Sequence, residues 1–360
     1  MEPVRPQYDG AWIGGIVPAV LDGASASWLP DAVDGARGAL LLTIDGLGWE
    51  MVTCHREHLP HISAMAGGPI TSAVPSTTSA GLTSIATGAP PAVHGLAGYR
   101  IRVAGEPLNV LGWSAHHGPD PRSVQPVPPF LGRDVPVVTR AEFRHSGFTE
   151  AHLRDVPLIG WTTTAALVEH CRRLVSGDRP LVYAYYDGVD KVAHEYGLHD
   201  DFLAAELRST DRLVGDLLDA LPSDWVLLVT ADHGQVHVEP GDALTMGAVH
   251  PMVHAYSGEG RFRTLHARHG AAAELAAACQ ESFGDRAWVF TRDQLFDEGW
   301  FGPGGSLTVR GRVGDVVCAA RDAVIFLDPD APHEAGMRSH HGSLTPAEML
   351  VPLLAGRGRR

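Results

Sequence analysis

Lysine is almost missing from this 360-residue chain: of its 28 basic residues, only Lys191 is a lysine. The Arg- and Ala-rich bias that takes its place carries no mechanism. A surplus of positive charge is missing as well, because 42 Asp and Glu outnumber the basic residues and leave a formal net charge of −14. So acidic a surface excludes a non-specific grip on DNA or RNA duplexes or on an anionic membrane. Any anionic substrate must be drawn in locally, by a metal or a focused basic pocket. There are four cysteines, and no two have CxxC spacing, which excludes a zinc–thiolate site and a secreted disulfide framework. Long apolar runs are absent too. The run Ala39–Ile44 falls far short of the roughly 20 residues that span a bilayer. The opening stretch MEPVRPQYDGAWIGG has no basic segment followed by an apolar one, so no secretory leader is expected there. The expectation is a cytoplasmic protein with no membrane association and no obligate protein partner.

What is present is an ordinary globular balance, 44% hydrophobic and 19% charged, with 20 histidines. The length equals about two average domains, but large α/β enzymes often run this long as one unit. Short continuous apolar runs read as buried strands of a parallel sheet: residues 39–44, 181–186 and 225–230, with further candidates at 324–327 and 349–354. Between them lie helical patterns at 163–176 and 201–221, the second with Phe202, Leu203, Leu207, Leu213, Leu217 and Leu218 on one stripe. The alternation predicts an α/β fold with a mostly parallel central sheet and helices on both faces. One catalytic unit over 1–360 is expected. A Pro- and Gly-rich excursion is expected at 105–136, and an inserted lid or subdomain at 241–338 with a helix at 271–283.

The chemistry gathers where strands end. The first strand runs into Asp45-Gly46, the second is followed by Asp190-Lys191-Val192-Ala193-His194, and the third runs into Asp232-His233-Gly234. Ligands of an open parallel sheet bind at the carboxyl ends of its strands, so three strands deliver Asp and His to one edge. Asp190 and His194, four apart, share one face of a helical turn. A late His340-His341-Gly342 precedes the last strand. Asp and His without Cys are oxygen and nitrogen donors, suited to zinc or manganese. Singly, an Asp-Gly is a turn and an Asp–His pair is a surface feature; three strand ends together favour a site. His94, His116, His117, His237, His250 and His254 lack such a context and read as structural or exposed. The segment Pro75–Gly88 places a cluster of hydroxyls at a helix N-terminus, where free N–H groups favour an anion. Spacing alone does not choose among Ser76, Thr77, Thr78 and Ser79, and capping is the plainer use of such residues.

These pieces, in this order, resemble the alkaline phosphatase superfamily. Within it they resemble the nucleotide pyrophosphatase/phosphodiesterase branch, over about Leu40 to Leu354. The resemblance implies two divalent metal ions, zinc or manganese. One would be held by Asp45, Thr78, Asp232 and His233, and the other by Asp190, His194 and His341. His341 is preferred to His340 because it directly precedes Gly342. The resemblance also implies that Thr78 is the nucleophile and passes through a phospho-threonine intermediate. One departure stands out: the family's Asn, three residues after the nucleophile, is Gly81 here. Backbone N–H groups near Thr78 or the side chain of Lys191 would have to take its place, unless Lys191 is only an ion-pair partner. The aromatic residues Tyr99, Trp113, Tyr185 and Tyr186 could stack a base, with core packing favoured for Tyr185. The pattern is most similar to cytoplasmic actinobacterial members, including cyclic di-AMP phosphodiesterases. The expected substrate is therefore a cyclic or linear adenine dinucleotide cut to AMP. The rivals are a phosphomonoesterase with the same site and a nucleotide-binding sensor without chemistry.

Overall fold

Strands that are apolar along their whole length need cover on both faces. The computed structural model, which describes residues 1–23, 26–114, 116–177, 179–329 and 331–360, places them so. The large sheet has seven strands. From one edge they are Ala66–Thr71, Leu350–Arg357, Trp225–Thr230, Gly38–Ile44, Leu181–Tyr186, Val137–Arg140 and Leu158–Trp161. Gly38–Ile44 runs parallel to both neighbours, with Ile44 beside Tyr186 and Thr43 beside Thr230. Every residue of the three central strands is buried.

Helices Thr164–Leu174 and Asp201–Ala220 pack on the sheet, close to the expected spans. Each starts at a side-chain cap: the Thr163 side chain accepts from Ala166 N–H, and Asp200 accepts from Phe202 N–H.

The expected fourth strand is corrected by the structure. Ile325–Phe326 lies outside the large sheet and pairs with Ala243–Leu244. The fifth runs Leu350–Arg357 and is antiparallel to both neighbours. Three strands had no clear sequence signal. Val137–Arg140 and Leu158–Trp161 are four residues each, too short for periodicity to show. Ala66–Thr71 contains Gly67, Gly68 and Pro69, a composition tolerated in a strand only at an edge. The excursion at 105–136 begins with the second strand of a short hairpin, Glu106–Asn109 paired with Arg100–Val103, and holds a one-turn helix, Pro121–Val124.

Residues 253–320 build a second, antiparallel sheet of four strands, ordered Val253–Glu259, Phe262–Ala267, Val316–Ala320 and Ala287–Thr291. Helix Ala272–Phe283 covers one face through Leu275, Cys279 and Phe283. On the other face Phe262, Val317 and Ala319 join a core with Val74, Leu344 and Met349 of the main body. The junction is also tied by a buried bidentate pair, in which Arg261 donates to both Glu348 oxygens at 2.7 and 2.8 Å.

Candidate metal centre and active site

The register of the parallel strands brings the three sequence motifs to one edge. Asp45 follows Ile44, and its N–H donates to Tyr186 O at 2.9 Å. Gly46 must turn at once, with φ +72°; a Cβ there would lie 2.3 Å from Gln235 Nε2. Its N–H donates to Asp232 Oδ1 at 3.3 Å, joining two strand ends. Asp45, Asp232 and His233 are buried, and their ligand atoms lie within 4.8 Å of one another. Asp190 and His194 sit on helix Gly188–Tyr196, and with His341 they form a second group of the same tightness. The His233 and His341 rings stack with centroids 3.6 Å apart, so the two groups share a wall. His340 belongs to neither group among the described residues.

Both groups have a donor chemistry that could hold a metal ion. His233, His194 and His341 each turn Nδ1 to a backbone carbonyl: Gly234 at 3.0 Å, Ser339 at 2.7 Å and Ser76 at 3.1 Å. A carbonyl only accepts, so Nδ1 carries the proton and the Nε2 lone pair faces inward, as a metal-binding imidazole requires. Asp45 Oδ1 and Asp232 Oδ2 are buried and accept no hydrogen bond, an arrangement that a bound cation would satisfy. Burial, then the nearby Asp232 and Asp190, push the Asp45 carboxyl well above its usual range. Burial likewise raises Asp232, against the opposing pull of His233. At Asp190 burial also acts upward, but His194, with His341 and His233, outweighs it and holds the carboxyl below its usual range. His194 is raised because Asp190 outweighs its burial, while burial and His233 hold His341 well below the ordinary imidazole range.

The hydroxyl cluster sorts itself by partner. Ser76 Oγ donates to Ser343 O at 2.6 Å and Ser79 Oγ to Gly98 O at 2.8 Å. The Thr77 hydroxyl bonds Glu259. Thr78 opens helix Thr78–Thr87 and sets Oγ1 3.1 Å from His233 Nε2, facing the first group. The first-turn N–H groups of that helix have no helical acceptor.

Gly81 has a physical explanation: a Cβ there would lie 2.8 Å from both Cβ and O of Asp232. The helix is thus pressed against a ligand strand where a side chain has no room, so the family's Asn has no place at this position. Lys191 Nζ lies 2.7 Å from Asp187 and 3.4 Å from Glu142, an ion-pair arrangement at the rim of the site. Tyr99 is half-buried and lines the same cavity as Thr78 and His341.

Two positioning residues were not assigned that role by sequence reasoning. The Tyr185 hydroxyl, expected to serve the core, donates to Asp45 Oδ2. Gln235 Nε2 donates to Asp190 Oδ1 at 2.9 Å, and its Oε1 accepts from Ser339. Gln235 directly follows Asp-His-Gly, which is the only signal the sequence offered for it.

The sequence matches the family described as type I phosphodiesterase / nucleotide pyrophosphatase over residues 39–176 and 158–344. The catalytic subunit of human GPI ethanolamine phosphate transferase 3 is 30% identical over 88 residues, 24% of this chain. That match spans only 8% of the human protein. Among solved structures, murine ectonucleotide pyrophosphatase/phosphodiesterase 5 superposes with TM-score 0.69 at 14% identity, covering 88% of this chain and 87% of the other. An inactive threonine-to-alanine variant of that murine protein, in complex with AMP, gives TM-score 0.67 at the same identity and coverage. Phosphonoacetate hydrolase from Sinorhizobium meliloti, bound to phosphonoformate, gives 0.62 at 20% identity, covering 90% and 91%.

Proposed function

The chain belongs to the type I phosphodiesterase / nucleotide pyrophosphatase family of metal-dependent hydrolases, and on that premise we propose that it cleaves nucleotide phosphodiesters, a cyclic or linear adenine dinucleotide first among them, to nucleoside 5′-monophosphate. The observation that carries this reading is Thr78, the hydroxyl that faces the first ligand group while its three neighbours are bonded elsewhere.

Two divalent cations, zinc or manganese, would be held one by Asp45, Thr78, Asp232 and His233 and the other by Asp190, His194 and His341. They supply the positive charge that lowers the barrier to ionising a hydroxyl and to expelling an alkoxide. The chain's own residues do the rest. Thr78 Oγ1 forms a bond to phosphorus as the bond to the leaving alcohol breaks; the hydroxyl proton ends on the departing alcohol, and the phosphorus stays on Thr78 as a phospho-threonine that still carries the other nucleoside. Water then attacks phosphorus as the bond to Thr78 Oγ1 breaks; one water proton returns to Thr78, and the nucleoside 5′-monophosphate leaves. Tyr185 fixes Asp45, Gln235 fixes Asp190, and the free N–H groups of the Thr78 helix suit the non-bridging oxygens.

The surroundings favour a diester over a monoester. Thr78 stands between two cavities, of about 200 and 240 Å³, enough for two ester arms. The first is largely apolar, with Leu82, Phe143, Phe148 and Tyr183 in its wall, and suits a base. Lys191, the cation in its wall, is engaged by Asp187 at 2.7 Å, and the nearby Arg140 is held by the same carboxylate at 2.6 Å. That leaves little positive charge for the extra charge of a monoester. The AMP complex of the murine relative's threonine variant is in keeping with this reading. The segment 241–338 would cap the second cavity.

In-line double displacement has a stereochemical signature. Hydrolysis of a phosphodiester made chiral by one sulfur, run in ¹⁸O-water, should proceed with retention, because two inversions cancel. Net inversion at phosphorus would mean that water attacks directly and that Thr78 is not a nucleophile.

A further inference from the structure

The second cavity is walled in part by Asp190, His194 and His341 and in part by the small sheet and the turn after it. Three polar atoms of its wall are buried and without a hydrogen bond: Glu259 Oε1, Glu334 Oε1 and His340 Nε2. Their residues are only 8%, 4% and 3% exposed. Glu259 ends strand Val253–Glu259 and is tightly seated. Its Oε2 accepts from Tyr99 N–H at 3.0 Å, and the Thr77 hydroxyl bonds the carboxyl. Its Cγ presses on Gly342 so closely that a Cβ at 342 would lie 2.6 Å away. One carboxyl is thus wedged between the neighbour of Thr78 and the neighbour of His341, with one oxygen to spare.

Glu334 differs, because Arg263 donates to its Oε2 and Arg100 lies 3.8 Å from its Oε1. No ion pair to Glu259 appears among the described residues. A buried polar atom without a partner costs free energy, and here the cost is borne beside a reactive centre. In-line attack by Thr78 sends the leaving oxygen away from Thr78, toward the Asp190, His194 and His341 group, and so into this cavity.

We propose that Glu259 recognises the leaving alcohol, its free Oε1 accepting a hydrogen bond from an N–H or O–H that the alcohol carries beyond the ester oxygen, such as a nucleoside hydroxyl or amino group. This deepens the phosphodiesterase reading and rests on it. It gives the site selectivity for the arm that departs. Burial outweighs the two partner bonds, which act downward, and leaves the carboxyl with its pKa pushed up to about 8. Protonated or not, the carboxyl still has lone pairs to accept with.

Glu259→Gln is the decisive variant. Its amide oxygen can keep the Tyr99 bond, while its NH₂ replaces Oε1 and turns an acceptor into a donor without changing shape. The readout is the ratio of kcat/KM for linear diadenylate, whose leaving arm carries donors, to that for bis(p-nitrophenyl) phosphate, whose leaving group carries none. We expect the ratio to fall at least about 10-fold, with KM for diadenylate rising. Parallel loss on both substrates would show a merely structural role and overturn the proposal, as would an unchanged ratio. If the wild type hydrolyses only the nitrophenyl ester, the dinucleotide reading fails by itself. The subsite is then judged by transfer of the nitrophenyl phosphoryl group from Thr78 to added alcohols. Preference for ethylene glycol over 2-methoxyethanol, lost in Glu259→Gln, upholds it; no preference in the wild type overturns it.

Discussion

Thr78→Ala should abolish turnover of bis(p-nitrophenyl) phosphate, a loss of at least about 10³-fold in kcat, while AMP still binds by calorimetry. The expectation follows from geometry. The hydroxyl stands 3.1 Å from His233 Nε2 and has no load to carry in the fold, and the three histidines keep their carbonyl partners without it. Thr78→Ser should retain a measurable fraction of activity, because the hydroxyl persists and only a methyl group is lost. Ser79→Ala is the control. Its hydroxyl is committed to Gly98 O at 2.8 Å, so its removal should cost stability more than rate. Full activity in Thr78→Ala, or its loss in Ser79→Ala alone, would move the nucleophile elsewhere.

The second large effect has opposite signs with and without metal. Asp45 and Asp232 are buried side by side with raised pKa values, from burial first and mutual repulsion next at Asp45. In metal-free protein the folded state holds protons on them that the unfolded chain would release. Their contribution to stability therefore falls as pH rises out of the usual carboxylate range. Asp232→Asn removes one of these charges, keeps an oxygen for Gly46 N–H and His233 N–H, and offers an amide N–H toward Asp45. Chelator-stripped Asp232→Asn should melt higher than stripped wild type, by roughly 2–5 °C. With divalent metal added the order should reverse, metal content should fall by one ion per chain, and activity should drop by at least about 10²-fold. A stripped variant that melts lower than stripped wild type would mean that these carboxylates are not a strained, ligand-ready pair.

The same physics explains what could be read from the sequence. The three central strands were legible because burial on both faces makes them apolar throughout, and the motifs were legible because each directly follows or closely trails one of them. Helix Asp201–Ala220 showed its stripe, although Phe202, counted in it, lies exposed at the helix start. The edge strands were not legible, since four residues such as Leu158–Trp161 make too little pattern and Ala66–Thr71 is shaped by an edge that tolerates Pro69. Ile325–Phe326 looked like a sheet strand because it is fully buried, but its partner is Ala243–Leu244. Tyr185 read as core, and it is buried; only the register of Leu181–Tyr186 beside Gly38–Ile44 shows its hydroxyl meeting Asp45. The choice of Thr78 among four hydroxyls came from family resemblance, whereas the partners of Ser76, Thr77 and Ser79 supply a reason for it in this chain. Gly81 was recognised as a departure. That Asp232 fills the space its side chain would need is a fact of packing that no spacing reveals.

The central claim is tested most directly by a substrate panel on chelator-stripped protein reconstituted with Mn²⁺ or Zn²⁺. The panel comprises cyclic di-AMP, linear diadenylate, bis(p-nitrophenyl) phosphate, p-nitrophenyl phosphate and simple sugar phosphates, compared by kcat/KM. The account predicts metal-dependent turnover in which a dinucleotide leads and AMP is the product. Faster turnover of sugar phosphates or p-nitrophenyl phosphate than of every diester would contradict it, and so would nucleotide binding without turnover of any substrate.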